Sequence, residues 1–364
     1  MTRITLTGVR KAHPVNSKYC DLADVSFTVE DGEYFCLVGP SGAGKTSTLR
    51  MIAGLDEPDE GSIAFDGADV CERSTSDRNV SFLFENLALY PNKTGYENIE
   101  HPLKVRDVAA DKRERRVREI ADRLQIAHLL DRKPGTFSGG EKQRVGIARA
   151  LVGEPTVHLL DEPLGGLDAK LRQELRVLLK EIHEDFGETF IHVTSSQEEA
   201  MSVADRMAVV RDGTVQQIGT PTELYDDPAD TFVAEFIGSP SMNRFDATIE
   251  AGSLTAGPLT WPTDEFAVDL DDGAYTVGIR PEDVTIHKSG GGSESEVATV
   301  EVTEPLGAET IVDVTLEGIE LRILADQRWV QTDLAIDQAV SIEVPAAMLY
   351  VFDDSGETVV SPDR

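Results

Sequence analysis

The chain has 364 residues, 40% of them hydrophobic, and carries 66 acidic against 34 basic side chains, a formal net charge of −32. Such a charge is repelled by phosphate backbones, which excludes a general nucleic-acid binder, while the apolar content argues against wholesale disorder. No run of about 18 apolar residues is present to cross a membrane, residues 1–5 lack the apolar stretch of a secretory signal, and three scattered cysteines (Cys20, Cys36, Cys71) suit neither a disulfide framework nor a zinc site and read as thiols of a reducing cytoplasm. The acids thicken after residue 240, with 25 acidic and 6 basic side chains against 41 and 28 before it. They are interspersed with strand-like residues, which predicts a solvated surface suited to high salt, as in a halophile, and not a partner-binding tail.

Residues 1–240 alternate short apolar strands with long periodic helices, which predicts a parallel sheet with crossovers. Tyr34–Val38 reads as a buried strand. Gly39-Pro40-Ser41-Gly42-Ala43-Gly44-Lys45-Thr46 follows it, and a helical pattern runs over 47–53. This is phosphate-loop spacing in a strand–loop–helix context. The glycines let backbone N–H groups cradle phosphates at a helix N-terminus. Lys45 can neutralise the β- and γ-phosphates, the Thr46 hydroxyl can ligate Mg²⁺, and Ser47 completes the nucleotide-binding stretch.

From about 87 to 151 the chain is rich in helix formers and charge, most densely over 109–130, and predicts a helical subdomain inserted into the α/β core. Strands are expected at 156–160 and 189–193. Leu159-Leu160-Asp161-Glu162 sets two carboxylates just past a buried strand, where open α/β sheets place their sites. Asp161 suits a Mg²⁺ role and Glu162 the orientation and deprotonation of an attacking water. Leu171, Leu175, Leu178, Ile182 and Phe186 share one face of a helix that Gly187 can end. Residues 207–211 and 214–218, joined by Asp212-Gly213, predict a tight hairpin. Beyond 240, short alternating strands such as 297–302 and 310–314, with a flexible loop at 289–293, predict a small β-barrel or sandwich.

Phe137-Ser138-Gly139-Gly140-Glu141-Lys142-Gln143-Arg144 resembles the signature motif of ATP-binding-cassette (ABC) ATPases, and it lies before the strand that delivers Asp161 and Glu162, as in that family. Leu164-Gly165-Gly166-Leu167-Asp168 resembles the family's D-loop. Leu89-Tyr90-Pro91 with Glu97-Asn98-Ile99 resembles the segment after its Q-loop, which faces membrane subunits. Gly238-Ser239-Pro240-Ser241-Met242-Asn243, Gly278-Ile279-Arg280-Pro281-Glu282-Asp283 and Val351-Phe352-Asp353 are similar to the OB-like regulatory domain of sugar-importer ATPases. The resemblance implies an α/β P-loop NTPase core over 1–240 with the inserted helical subdomain, then a small all-β OB-like barrel over 241–364. It implies an importer ATPase for a sugar, polyol or related solute, using ATP and Mg²⁺, peripheral at the cytoplasmic face of the membrane. Its partners would be a second ABC ATPase subunit, transmembrane permease subunits and, indirectly, a solute-binding protein. Each ATP would lie between one subunit's phosphate loop and the other's signature, Ser138–Glu141, with Asp168 of the D-loop at the same interface. Physically, Ser138, Gly139 and Gly140 would open a helix over 141–152 and offer a hydroxyl and free N–H groups to an anion.

The sequence departs from the family at several positions. The Q-loop glutamine, a metal-side and catalytic position, falls on Glu85; the switch histidine falls on Ser195; the signature's usual glutamine falls on Glu141. His13 and Tyr19 are the two candidates to stack on adenine. Ser195 cannot reach as far as imidazole and cannot carry charge against a γ-phosphate, and one lost transition-state contact of that kind typically costs about 10²–10³ in rate. The losses are confined to the site that this chain's own core builds, whereas the signature it lends is sound. That pattern suggests a heterodimer whose other ATPase carries most turnover; the alternative is a mainly structural or regulatory nucleotide-binding subunit.

Overall fold

Tyr34–Val38 is buried at every position because strands flank it on both sides. In the computed structural model, which describes residues 2–13, 21–153, 155–288 and 296–362, the chain divides into two compact units, Met1–Pro221 and Thr222–Arg364. The first holds β1 (Ile4–Lys11), β2 (Leu22–Val29), β3 (Tyr34–Val38), β4 (Glu60–Phe65), β5 (Ala68–Asp69), β6 (Val80–Leu83), β7 (Val157–Asp161), β8 (Thr189–Thr194), β9 (Arg206–Arg211) and β10 (Thr214–Gly219). They form one sheet in the order β5-β4-β1-β2-β10-β9-β3-β8-β7-β6. The β9-β3-β8-β7-β6 half is parallel throughout, while β5, β4, β1 and β2 pair antiparallel. A parallel half needs both faces covered, hence the uninterrupted apolar strands.

The helices are α1 (Lys45–Ala53), α2 (Gly95–Val105), α3 (Ala110–Arg123), α4 (Gly139–Leu151), α5 (Ala169–Phe186) and α6 (Gln197–Val203). Helices α2 to α4 fall between β6 and β7, which are sheet neighbours, so this helical stretch is an excursion from the sheet. Two of the helices start earlier than periodicity indicated, at Lys45 and Gly139, because their first two residues (Lys45-Thr46 and Gly139-Gly140) carry no apolar signal. In α5 the buried stripe is Leu175, Leu179, Ile182 and His183, one residue displaced from the expected face at Leu179, and Gly187 caps the helix in the left-handed region. Strand β7 runs to Asp161 itself. The β9–β10 hairpin turns through Asp212 (φ 48°) and Gly213 (φ 74°), the paired positive φ values of a tight hairpin turn. Tyr19, Cys20 and the loop at 289–293 lie outside the described residues.

The second unit begins one residue into α7 (Pro221–Asp226), followed by α8 (Thr231–Phe236). It continues through β11 (Asn243–Glu250), β12 (Ser253–Ala256), β13 (Leu259–Pro262), β14 (Gly273–Ile279), β15 (Thr285–Lys288), β16 (Glu296–Pro305), β17 (Glu309–Leu316), β18 (Ile319–Asp326), α9 (Gln327–Asp333), β19 (Ala339–Glu343), β20 (Tyr350–Phe352) and β21 (Thr358–Val360). Two sheets result, β13-β12-β11-β14-β20-β21 and β15-β19-β16-β17-β18, and their inward residues share one core, for example Ile249, Val277, Val300, Val314 and Ile342.

The three C-terminal motifs converge in space, since β14 pairs with both β11 and β20. Their keystone is Arg280, fully buried. Its guanidinium donates to the carbonyls of Ala234 (2.9 Å), Ile237 and Tyr225 (2.7 Å) and lies 4.0 Å from the centre of the Tyr225 ring. Those carbonyls end α7 and α8, where helical oxygens lack intrahelical donors and carry partial negative charge. Replacing Arg280 by Met is therefore expected to destabilise this unit by about 2–4 kcal/mol, because the buried carbonyls of Ala234 and Ile237 lose this donor, while that of Tyr225 retains the Tyr350 hydroxyl at 3.3 Å. Denaturant unfolding of the full-length chain checks this; a change below about 0.5 kcal/mol would contradict the clamp.

Candidate nucleotide site

Strands β3, β6 and β7 end on one side of the sheet, the residues at and just past their ends line the site, and the end of β8 lies beside β7. Beyond β3 the loop 39–44 turns sharply into α1. A side chain at Gly39 would meet the Val210 carbonyl oxygen at 2.1 Å, so glycine is required there for the loop to lie against β9. Gly44 stands at the N-cap of α1 with φ 97°, and no acid occupies the first turn, which leaves the helix N-terminus open to an anion. The Lys45 ammonium is buried and donates to the carbonyls of Gly39 (2.8 Å) and Pro40 (2.9 Å). Burial pulls its pKa down, opposed by the carboxylates of Glu162 and Asp161.

A cleft of about 400 Å³ opens at this edge, lined by Ser41, Gly42, Gly44, Lys45, Thr46, Ser47 and Arg50 from the loop and α1, and by Phe82, Phe84, Glu85, Asn86, Asp161 and Glu162 from the ends of β6 and β7. The two sides are joined where Thr46 Oγ1 donates to Asp161 Oδ1 at 2.9 Å. Asp161 is 4% exposed. Burial pushes its carboxyl up to about 6; the Thr46 hydrogen bond opposes this, and the charges of Glu85 and Glu162 push further. An acid held so far from its ordinary value is short of positive charge. With the Thr46 hydroxyl and Glu85 it forms a set of hard oxygen donors that fits Mg²⁺.

Glu162 follows Asp161 with φ 45°, a left-handed conformation that costs a non-glycine residue about 1–2 kcal/mol, and its N–H is held by the Val193 carbonyl at 2.9 Å. Behind it, the buried Thr194 hydroxyl lies 2.9 Å from Glu199 Oε2 and 3.4 Å from Glu162 Oε2. Burial raises the Glu199 pKa, with its Thr194 hydrogen bond opposing. Sequence reasoning missed this pair. Thr194 ends a strand as Asp161 does, and that was the available signal; a buried glutamate within an acidic, exposed-looking helix start gave none.

Ser195 is exposed in the bend after β8, outside the cleft lining. His13 stands past β1, its N–H donating to Asp21 at 2.6 Å, and it is not among the cleft-lining residues either. Pro40 and Ala43 shape the loop without lining the cleft. Ser138 caps α4 through a reciprocal pair in which its hydroxyl accepts from the Glu141 N–H and its own N–H donates to Glu141. Glutamate at 141 thus completes the helix start, and the bond from the Ser138 N–H holds its carboxyl below the usual range. A side chain at Gly140 would lie 2.2 Å from Leu171 Cδ2, in the first turn of α5, whose N-cap is Asp168 (Oδ1 accepts from Leu171 N at 3.0 Å). The signature and D-loop therefore lie side by side, outside the lining of this chain's own cleft.

Helix α4 also reaches back. Gln143 donates to the Pro163 carbonyl, next to Glu162. Arg149 donates to the carbonyls of Leu87 and of Ala88 (2.7 Å), two non-glycine residues at φ 57° and 42°, and its guanidinium lies 5.6 Å from the centre of the Tyr90 ring. The segment after Glu85 is thereby fixed to the signature helix.

A family model described as "ABC transporter" matches residues 22–165, one described as "MalK OB fold domain" matches 238–284, and a "TOBE domain" model matches 277–352. The sn-glycerol-3-phosphate import ATP-binding protein UgpC of Rhizobium meliloti (strain 1021) is 41% identical over 361 residues, covering 98% of this chain and 99% of that one. The trehalose/maltose import ATP-binding protein MalK of Thermococcus litoralis is 45% identical over 314 residues, covering 81% of this chain and 84% of that one. A solved structure described as a dimeric post-hydrolysis state of an ATP-binding cassette bound to ADP and Pi aligns with a TM-score of 0.54 at 29% identity, over 60% of this chain and 98% of that one. The chain belongs to the ABC transporter ATPases of the sugar-importer type, with a MalK-like OB fold and TOBE region at its C-terminal end.

Asp161 links folding stability to pH. Its folded pKa of about 6 lies above the ordinary value of 3.8, so its charge destabilises the folded chain above pH 6, and the cost fades as pH falls through 6 toward 3.8. Asp161→Asn is expected to raise unfolding stability at pH 7.5 without Mg²⁺ by about 1–3 kcal/mol, with a gain that shrinks on going to pH 5. Thermal melts of both proteins at the two pH values test this. A variant no more stable than wild type at pH 7.5 would contradict the buried, uncompensated carboxylate.

Proposed function

We propose that this chain binds and hydrolyses ATP with Mg²⁺ at the cytoplasmic face of the membrane to energise uptake of a sugar, polyol or related polar solute. The observation that carries this is the hydrogen bond from Thr46 to Asp161, which joins the phosphate loop to the carboxylate pair across one cleft. Lys45 and the loop N–H groups would hold the β- and γ-phosphates; Thr46, Asp161 and Glu85 would hold Mg²⁺, which neutralises phosphate charge; Glu162 would orient the attacking water and take its proton. Among the described residues no helix is long and apolar enough to cross a membrane, so attachment would come from permease subunits docked on the exposed segment around Tyr90. The named activities of the relatives support import of small polar solutes. The mainly structural reading is not favoured, because Lys45, Asp161 and Glu162 all stand in the cleft. The charge of −32 supports folding and activity at high salt.

Lys45→Ala is expected to weaken ATP–Mg²⁺ binding by about a hundredfold or more, since the β/γ charge loses its fixed counter-ion. Unchanged affinity in an equilibrium titration at high salt would refute the phosphate-loop assignment.

Glu85 and the exposed Ser195 support slow turnover at this chain's own site and a second, different ATPase as dimer partner. In such a pair Glu162→Gln should reduce uptake modestly and Ser138→Arg should nearly abolish it, because the bulky guanidinium introduced by the second change would obstruct the partner's site. Uptake by reconstituted transporter separates the cases; equal and severe loss from both changes indicates a homodimer. A faster rate in Ser195→His would show that the missing imidazole limits this site.

A further inference from the structure

We propose that Thr194 and Glu199 are positioning residues for Glu162, holding its carboxylate at the cleft in the absence of a histidine at 195. This rests on the ATPase reading above. A threonine hydroxyl has one proton and two lone pairs. At Thr194 one lone pair accepts from the Ser196 N–H at 3.0 Å, and the proton goes to Glu199 Oε2, the nearer carboxylate at 2.9 Å. Glu162 Oε2, at 3.4 Å, therefore faces an oxygen whose proton is committed elsewhere, with a second carboxylate behind it. Both features keep the Glu162 head from turning inward and leave it directed at the cleft that it lines.

Glu199 is itself fixed. It is 4% exposed, on the first turn of α6, where its N–H is capped by Ser196. The Arg172 guanidinium stands 3.6 Å from its Oε1. Arg172 also donates to the Leu167 carbonyl at 2.9 Å, inside the D-loop-like stretch 164–168. His192 Nε2 lies 4.0 Å from Glu199 Oε2, and the other nitrogen of that ring bonds the Tyr34 hydroxyl at 3.1 Å. The geometry thus runs from the 164–168 loop through Arg172, Glu199 and Thr194 to the proposed base. None of these groups lines the cleft, so their effect is exerted through Glu162.

The test is a double-mutant cycle on ATP turnover by the purified full-length chain without a second, different ATPase, so that the rate read is that of the site this chain's own core builds. Thr194→Val keeps the shape and removes the hydroxyl; it is expected to lower kcat by about 10–100-fold, as misplacement of a catalytic group does, with KM for ATP within about twofold of wild type. Thr194→Ser should restore at least half the rate, and Glu199→Gln should fall between. In a Glu162→Gln background, Thr194→Val should lower the residual rate by less than about twofold. Overturning results are an unchanged kcat in Thr194→Val, a rise in KM in place of a fall in kcat, or full additivity with Glu162→Gln. Equilibrium binding of ATP–Mg²⁺ to Thr194→Val, expected unchanged, separates positioning from misfolding. Failure of the ATPase reading itself would show separately, as absent turnover in the wild type.

Discussion

Negative charge concentrated around a single lysine is the constraint on which the rest of the first unit depends. Asp161, Glu162 and Glu85 line one cleft with Lys45, and Glu199 stands directly behind. Asp161 is buried and bonded to a neutral hydroxyl, so its charge is left short of compensation. A triphosphate would add further negative charge. In the proposed function a divalent cation between the acids and the phosphates would offset that charge. A carboxylate at 85 would offer such a cation an oxygen, and its charge adds to that already pressing on Asp161.

The fold meets that constraint by delivering the cleft's acids from the ends of parallel strands. In β7 and β8 the register pairs Asp161 with Val193, one residue before Thr194, so Asp161, Glu162 and the Thr194 hydroxyl arrive together. Helix α4 then binds the edge to the surface. One helix touches the residue after Glu162 through Gln143 and the segment after Glu85 through Arg149, and it presents Ser138 at its exposed end. One helix thus ties both sides of the cleft to the Ser138 end.

The phosphate loop, the carboxylate pair and the signature were legible in the sequence because each depends on local order: a strand, a glycine turn and a helix in succession. Strand β3 could be read to the residue because a fully buried strand is an uninterrupted apolar run. Long-range side-chain bonds could not be read. Arg280 is one basic residue in an acidic stretch until three helix-end carbonyls are seen around it, and Arg149 looks like a surface arginine until Leu87 and Ala88 turn their carbonyls toward it. Glu199 was hidden for the opposite reason, since a second glutamate beside it in the first turn of a helix resembles an exposed capping acid. The displaced stripe of α5 shows a further limit: with Leu178 and Leu179 both present, periodicity alone does not decide which faces the core, and packing selected Leu179.

The requirement for a cation between acids and phosphates is tested most directly by calorimetric titration of the full-length wild-type chain with a non-hydrolysable ATP analogue. One titration is made in excess Mg²⁺ and one in excess chelator, at about pH 7.5 and matched ionic strength. Affinity at least about tenfold higher with Mg²⁺ is expected, because without it the carboxylates of Asp161, Glu162 and Glu85 repel the triphosphate. Equal affinity in the two titrations would contradict the proposed site.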